Sequence, residues 1–488
     1  MAQPITTTPL PSAPRDMTAG AADTATLLPI LLVLLAAHRP AFIQERPYQR
    51  CLALTLGHIS AFGRHTITQM LVSLGLGSVD WSGFYRLFST PRLCYDRLTT
   101  CLLTETLAHV RDDQPYQVGL DGVQIPRTSQ RMPGTSWLKA PRTPAWKPGI
   151  HRAQRFMHLA WLVPTAVSGY SRAIPLRVVP AVPAKARLAE GLTPCREWEA
   201  GRDALIWLRR ALDEAGRAST RIVAVADSVY GPAAMWASLP ERTTLISRCA
   251  KNRALYRLPA PRTGRGRPRR YGPRALTPAE WLHRTGHWQR TRIAVRGRER
   301  SLTYRVVGPC LVRRAPTQPV FLIVVKGVDR ANGARRDPTY WLVSATEAAN
   351  GRWQMPDTPA ALLLLAWQRW ELEVTHRDAK TGVGVGEVQC WSQRAAILAV
   401  QWQWWVLGLV LLSAYRAWGL DPAPTGAIGR WWTGPRRWSL GQVHQTLRAD
   451  LWDLAEYRPV WTRFTINWWE MADWISLQVT AVLGARRT

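Results

Sequence analysis

Acidic residues are scarce in this 488-residue sequence, which has 33 Asp and Glu against 64 Lys and Arg, for a formal net charge of +31. Such an excess of positive charge favours a polyanionic partner, because each phosphate that a Lys or Arg neutralises releases condensed counterions. Nucleic acid, or an anionic membrane surface, is therefore the first partner to consider.

Paired cysteines are missing as well. The seven cysteines are odd in number, scattered, and form no Cys-x-x-Cys pair. This argues against a disulfide framework or a zinc site and predicts reduced thiols in the cytoplasm. Wholesale disorder is excluded, because 47% of the residues are hydrophobic and 9% are aromatic. The length allows two or three folded domains.

The chain lacks a signal-peptide pattern. The apolar run 26–37 is short, contains Pro29, and follows a Ser/Thr/Pro-rich tail without the basic cluster that a signal peptide needs, so we predict a core helix. A second run, 395–414, is long enough to span a membrane and is interrupted only by Gln401 and Gln403. Charged sequence of globular pattern flanks it, so we predict a buried helix, with a membrane protein as the alternative.

Changes of pattern along the chain divide it into six segments. They are a disordered tail (1–25), a helical domain that is a candidate for DNA binding (26–112), the first part of an α/β core (113–250), an inserted basic, β-rich subdomain (251–352), the completion of the core (353–420) and a Trp-rich, C-terminal helical region (421–488).

The helical domain contains a pattern typical of a helix-turn-helix. Ile67, Met70, Leu71 and Leu74 have helical spacing, and a Gly-rich turn separates them from a second amphipathic segment at 81–88. DNA binding and ordinary helix packing both fit this pattern.

Beyond residue 115 the sequence predicts strands. Candidates are 116–121, 156–163, 173–179, 221–227 and 243–247, with a helix in "CREWEAGRDALIWLRRALDEAG" between the third and fourth. This order predicts a mixed α/β sheet.

Two of these strand candidates end in an aspartate, at Asp121 and Asp227. A carboxylate at the end of a buried strand is costly unless it caps a turn or binds a cation. If the two strands are neighbours, the like charges need a shared counter-ion. Mg²⁺ suits this position, since it accepts carboxylate oxygens and keeps sites for water and phosphate.

A third carboxylate is predicted from "RWELEVTHRDAKTG". On a helix, Arg369, Glu373, His376 and Lys380 fall within an arc of about 60°, whereas Glu371 points the opposite way. One face therefore offers a carboxylate between cations. This suits a metal ligand beside phosphate-binding residues, and it also suits a surface row of i, i+4 ion pairs.

The order Asp121, Asp227, Glu373, with Arg369 four residues before the Glu and Lys380 seven after it, resembles the DDE transposases of bacterial insertion sequences, specifically the group with a Tyr-Arg-Glu-Lys motif. "VADSVYG", "LISRCAKNRALY" and "GRGRPRRYG" look like this family too, and the resemblance covers roughly residues 115–415. The sequence departs from the family pattern at two positions: Ala366 replaces the Tyr, and the acid that commonly follows the first Asp is absent.

The resemblance implies a ribonuclease H-like mixed sheet with an inserted β-rich subdomain, between a helical N-terminal domain and C-terminal helices. It implies a transposase that cleaves and transfers the DNA strands of an insertion sequence, with Asp121, Asp227 and Glu373 as catalytic residues and as ligands of Mg²⁺, for which Mn²⁺ can substitute. The mechanism would be two-metal phosphoryl transfer, with the ions about 3.5–4 Å apart. Expected partners are DNA, both element ends and target, and a second copy assembled on that DNA, in the bacterial cytoplasm at the nucleoid, without a membrane or a small-molecule cofactor.

Basic residues near these acids are candidates for phosphate contacts. Seven arginines lie between 257 and 274, in a segment too polar to pack. The candidates are Arg369, Lys380, Arg248, Lys251, Arg265, Arg267, Arg269 and Arg270.

Two other functions fit the same residues. A different ribonuclease H-like nuclease or resolvase would share the three acids without needing the basic insertion. A non-catalytic DNA-binding protein derived from a transposase would keep the basic surface.

Overall fold

The structure is a computed structural model of the chain. It describes residues 26–454, apart from gaps at 142, 144–145, 167–168, 187, 189–191, 261–268, 330–334, 391 and 422–436. The predicted disordered tail lies outside the described residues, as does most of the predicted C-terminal region.

Helices occupy both ends of the described chain and alternate with strands between them. They are α1 (Leu28–Ala37), α2 (Glu45–Ser60), α3 (Ile67–Ser73), α4 (Ser82–Ser89), α5 (Tyr95–Leu107), α6 (Glu197–Glu214), α7 (Ala233–Ala237), α8 (Pro278–His283), α9 (Pro359–Gln368), α10 (Trp370–Thr381), α11 (Gln393–Trp418) and α12 (Leu440–Asp453).

The strands form one large sheet and two small ribbons. They are β1 (Tyr116–Pro126), β2 (Thr135–Lys139), β3 (Ile150–Leu162), β4 (Ala173–Pro180), β5 (Ile222–Ala226), β6 (Thr243–Arg248), β7 (Leu255–Arg257), β8 (Gln289–Val295), β9 (Arg298–Val312), β10 (Ala315–Val325), β11 (Val328–Asp329), β12 (Arg335–Arg336), β13 (Thr339–Ser344), β14 (Thr346–Glu347) and β15 (Trp353–Gln354).

The large sheet is mixed, with the order β2-β3-β1-β5-β6-β13-β10-β9-β7, while β4 pairs with β3 and β8 with β9. Its centre is parallel, because β1, β5 and β6 run in the same direction. Each of the five strand candidates from the sequence corresponds to one of these strands. The mixed α/β fold class is therefore confirmed, and the arrangement is consistent with a ribonuclease H-like fold.

The β-rich segment that follows β6 continues this same sheet. Its strand β13 pairs antiparallel with β6, with Val343 opposite Ile246, and β10 and β9 extend the sheet further. The sequence pattern predicts that this segment is rich in strands. It does not predict that β13 pairs with β6, because the two strands are about a hundred residues apart in the chain.

Apolar cores cover both faces of the sheet. Alternate residues of a strand point to opposite faces. On β5, Ala224 and Ala226 join the larger core, whereas Val223 and Val225 join a smaller one with Leu363 of α9 and Leu372 of α10. Helices α6 and α10 thus pack on opposite faces of the sheet, α6 through Leu205 on the first face and α10 through Leu372 on the second.

The long apolar helix α11 lies in the larger core. It is long and apolar enough to cross a membrane, but 94% of its most apolar stretch is buried inside the protein. It packs against β4, α1, α4, α5 and α12. Since its apolar surface is covered by protein, α11 is a core helix.

The short helices α3 and α4 pack in the N-terminal part of the larger core. Ile67, Met70 and Leu71 of α3 are buried, as are Leu87 and Phe88 of α4. Both helices contact α2, and α4 also contacts α11. DNA binding by this pair stays a prediction.

Candidate functional site

Asp121 and Asp227 lie side by side at one edge of the parallel strands. Leu120 of β1 pairs with Ala226 of β5, so the next residue on each strand is an aspartate. The expectation that β1 ends at Asp121 is wrong, because β1 continues to Pro126 along its antiparallel partner β3. What ends after Leu120 is the parallel pairing with β5.

Both aspartates are held by backbone amides. The amide of Gly122 donates to Asp121 Oδ1 at 2.9 Å, and the amide of Val229 donates to Asp227 Oδ1 at 2.8 Å. Burial raises the pKa of Asp121, against the opposing effect of Arg369. Burial also raises the pKa of Asp227, and the charge of Asp121 adds to this effect. The two carboxylates therefore form an electrostatically coupled pair that favours a shared cation.

Arg369 connects this pair to α10. It lies at the junction of α9 and α10, and its guanidinium donates to two carboxylates, Asp121 Oδ2 at 3.2 Å and Glu373 Oε1 at 2.8 Å. The side chain of Asp121 is 15% exposed and that of Glu373 is 37% exposed. Asp121 and Glu373 are thus close enough to share one positive charge.

The two sides of α10 differ as the sequence predicts. Glu373 faces Asp121, whereas Glu371 is buried and pairs with Arg296 at 2.9 Å and with Arg437 at 2.8 Å. Lys380, two turns beyond Glu373, has an exposed side chain.

His376 on α10 contacts the protein interior. Its Nε2 lies 3.1 Å from Nδ1 of His158, which is the β3 residue opposite Asp121. Burial lowers the pKa of His376 to about 3, with the charges of Lys380 and Arg369 adding to the effect. Burial also holds the pKa of His158 well below its usual value. This neutral pair links β3 to α10, one turn away from Glu373.

A fourth carboxylate, absent from the sequence-based prediction, lies at the same site. Glu197 begins α6, and its side chain is 4% exposed. Arg155 Nη2 of β3 lies 2.5 Å from its Oε2. Burial raises the pKa of Glu197 to about 7, Arg155 lowers it, and the charges of Asp227 and Asp121 raise it further. The sequence offers no distinctive signal here, since acidic residues are common in the first turn of any helix.

Arg248 lies near the aspartates, and Lys251 follows it by three residues in the chain. Ala226 pairs with Ser247 of β6, so Arg248 is next to Asp227 in the register of the sheet. Arg248 and Lys251 are both exposed, as phosphate-binding side chains must be. The structure thus brings cations to the edge that carries the carboxylates.

The predicted basic loop is described only in part. Arg269 and Arg270 are exposed, and they follow the gap at 261–268. Arg265 and Arg267 lie outside the described residues.

The donor set fits a hard divalent cation. Carboxylate oxygens are the ligands that Mg²⁺ and Mn²⁺ prefer, and Arg369 already places one positive charge between Asp121 and Glu373. Among the described residues, no three His, Cys, Asp or Glu side chains are positioned to hold a metal ion as they stand. A metal shared by these acids would therefore require Arg369 to move.

Comparison with protein families gives one match. A family described as DDE superfamily endonuclease matches residues 41–302, more than half of the chain. The matched range contains Asp121 and Asp227 and ends before Glu373. None of the curated proteins compared with the chain matches it.

Proposed function

Because this chain belongs to the DDE superfamily endonucleases, nucleases that act on DNA with divalent metal ions, we propose that it is the transposase of a bacterial insertion sequence, which cleaves the element ends and joins them to a target. The observation that carries this proposal is the position of Asp121 and Asp227, each directly after the last paired residue of two neighbouring parallel strands, together with Arg369, which joins Asp121 to Glu373 of α10.

The three carboxylates have different surroundings, and these suggest different roles. Asp121 and Asp227 are fixed by backbone amides, so they form the rigid part of the site. Glu373 is more exposed and is held by Arg369, so it completes the metal site when that contact opens. In this proposal Asp121, Asp227 and Glu373 hold two Mg²⁺ ions, for which Mn²⁺ can substitute.

When bound, the metal ions would lower the pKa of an attacking water or 3′-hydroxyl and neutralise charge on the leaving oxygen. The chain itself supplies placement and positive charge. Arg369, released from the carboxylates, would turn to a DNA phosphate, and Lys380 would contact another. A guanidinium can bind phosphate through two parallel hydrogen bonds, which orients the scissile strand as well as attracting it.

Further phosphate contacts extend from the same edge. Arg248 is exposed beside Asp227, and Lys251 is exposed three residues further along the chain. The basic loop with Arg269 and Arg270 follows β7. The net charge of +31 supports a long DNA contact. Joining two element ends to one target requires two active sites, so the proposal includes a dimer assembled on DNA at the bacterial nucleoid.

Asparagine substitutions at the two aspartates test this function, because Asn keeps the size of Asp but removes its charge. We expect Asp121→Asn and Asp227→Asn each to abolish nicking of supercoiled plasmid in Mg²⁺ or Mn²⁺, with DNA binding in gel-shift assays nearly intact. Asp113→Asn is the matched control, since Asp113 is exposed and pairs with the exposed Arg111 two residues before it. Strong metal-dependent nicking by either variant would remove that residue from the catalytic set.

A further inference from the structure

Glu197 lies against the backbone that carries the first aspartate. A Cβ atom at Gly122 would lie 2.3 Å from Oε2 of Glu197 and 2.5 Å from its Oε1. Since real Cβ atoms do not approach other atoms so closely, residue 122 must be glycine while Glu197 occupies this position. The residue immediately before Gly122 is Asp121. The absence of a side chain at position 122 therefore gives the Glu197 carboxylate its place at the site.

Glu197 and Glu373 approach the aspartates from opposite faces of the sheet. A Cβ at Gly119 would lie 2.6 Å from Leu372 of α10, so residues 119 and 121 face α10. Residue 122 faces α6, where Glu197 is the first residue. Asp121 and Asp227 are thus flanked by one glutamate from each helix.

The Glu197 carboxylate is incompletely satisfied. Its Oε2 accepts no hydrogen bond of normal geometry, although Arg155 is its ion-pair partner and the buried hydroxyl of Tyr230 is a second polar neighbour of the carboxylate. Arg155 is shared, because its charge also acts on Asp121 and Asp227. A buried carboxylate with one shared cation is costly to maintain. A cation bound between the carboxylates would offset this cost.

We propose that Glu197 is a fourth carboxylate ligand of the divalent-metal centre, supplied by α6 on the side of the sheet opposite Glu373. This inference rests on the proposed function. It assigns to Glu197 a direct contact with a metal ion, whereas a purely structural residue would only neutralise Arg155. Hard cations bind carboxylate oxygens, and the buried carboxylate of Glu197 lies directly against Gly122, the residue after Asp121.

Binding of Mn²⁺ to the full chain without DNA tests this proposal, by electron paramagnetic resonance of the free ion and by calorimetry. We expect Glu197→Gln to weaken Mn²⁺ binding at least ten-fold. Glu199→Gln is the matched control, because Glu199 lies on the same helical turn and caps the backbone amide of Arg196. Its Mn²⁺ affinity should equal that of the unchanged protein. Circular dichroism and the melting temperature establish that each variant is folded.

Wild-type Mn²⁺ affinity in folded Glu197→Gln would overturn the inference and leave Glu197 as a partner of Arg155. Should that variant not fold, Glu197→Asp decides the question, because it keeps the charge but shortens the reach by one methylene. Weakened Mn²⁺ binding then supports the inference, and unchanged binding overturns it. Asp121→Asn is measured in parallel. If Asp121→Asn also binds Mn²⁺ with the affinity of the unchanged protein, the proposed metal centre is wrong as a whole. This result distinguishes failure of the proposed function from failure of the inference about Glu197 alone.

Discussion

Glu371 and Glu373 are two residues apart on α10, and their carboxylates lie in different environments. Glu371 is 1% exposed and is held between Arg296 and Arg437. Glu373 is partly exposed and shares Arg369 with Asp121. Side chains two residues apart on a helix point about 200° apart, so these two glutamates contact different parts of the protein. The density of charge in this motif thus reflects two separate ion-pair clusters.

This difference predicts opposite effects for two glutamine substitutions. Glu371→Gln leaves two arginines without their buried partner, and we expect the free energy of unfolding to fall by about 2 kcal/mol, less than the loss of a fully buried pair because both arginines are partly exposed. Metal-dependent nicking per folded molecule should be largely kept. Glu373→Gln should abolish nicking with little effect on stability. Denaturant unfolding and single-turnover nicking measure the two quantities, and the reverse pattern would show that Glu371 is the catalytic acid.

Arg369 should compete with metal in the free protein. Its guanidinium neutralises Asp121 and Glu373, so Arg369→Ala leaves two carboxylates without their shared cation. We expect this variant to bind Mn²⁺ about ten-fold more tightly without DNA, a change of about 1.4 kcal/mol, yet to nick DNA poorly because the proposed phosphate contact is lost.

The control for this prediction is Arg377→Ala on the same helix. Arg377 is exposed and pairs with Asp378 at 3.6 Å, so its removal should leave Mn²⁺ affinity unchanged. Equal Mn²⁺ affinities for the two variants would mean that Arg369 does not occupy the metal position.

Much of this site could be predicted from short sequence patterns. Asp121 and Asp227 follow apolar strand segments, and the 100° rotation per helical residue places Glu371 and Glu373 on different sides. Such patterns depend only on neighbours in the chain. For this reason the β5 and β6 strands and the faces of α10 could be predicted without knowledge of the fold.

The unpredicted parts depend on contacts between distant segments. Glu197 reaches Gly122 because α6 packs on the face of β1 that carries residue 122, and nothing within α6 itself indicates this. Arg155 becomes a partner of the acids because β3 pairs with β1. The extension of β1 beyond Asp121 likewise follows from its pairing with β3. In each case the partner lies more than twenty-five residues away in the chain, so the pattern of neighbouring residues does not indicate it.

The basic loop after β7 should contribute to DNA binding through charge. Each phosphate contact adds about 0.9 to the slope of log affinity against log salt on duplex DNA. Replacing Arg265, Arg267, Arg269 and Arg270 by Ala should weaken binding at low salt and make the slope shallower by up to about 3.6. Arg210→Ala on α6 is the control, because Arg210 is exposed and forms an i, i+4 pair with Glu214 on the surface of the helix. An unchanged slope in the loop variant would assign DNA binding to other surfaces.

His38 should make the fold less stable in mild acid. It follows α1, its Nδ1–H donates to Leu34 O at 2.7 Å, and its ring packs edge-on against Trp405. Burial lowers the pKa of His38 to about 4 from 6.5. Because the folded-state pKa lies below the unfolded value, the unfolded chain binds more protons than the folded chain between about pH 4 and pH 6.5. The stability that is present above pH 6.5 is therefore lost as the pH falls through this range.

We therefore expect His38 alone to reduce the free energy of unfolding by about 2 kcal/mol between pH 7.5 and pH 5. Denaturant unfolding at both pH values measures this difference for the unchanged protein and for His38→Gln, in which it should be smaller by that amount. Other buried groups titrate equally in both proteins, so they cancel in the comparison. His283→Gln, at an exposed position, should retain the full pH dependence. If His38→Gln retains it as well, His38 does not titrate with a lowered pKa in the folded protein.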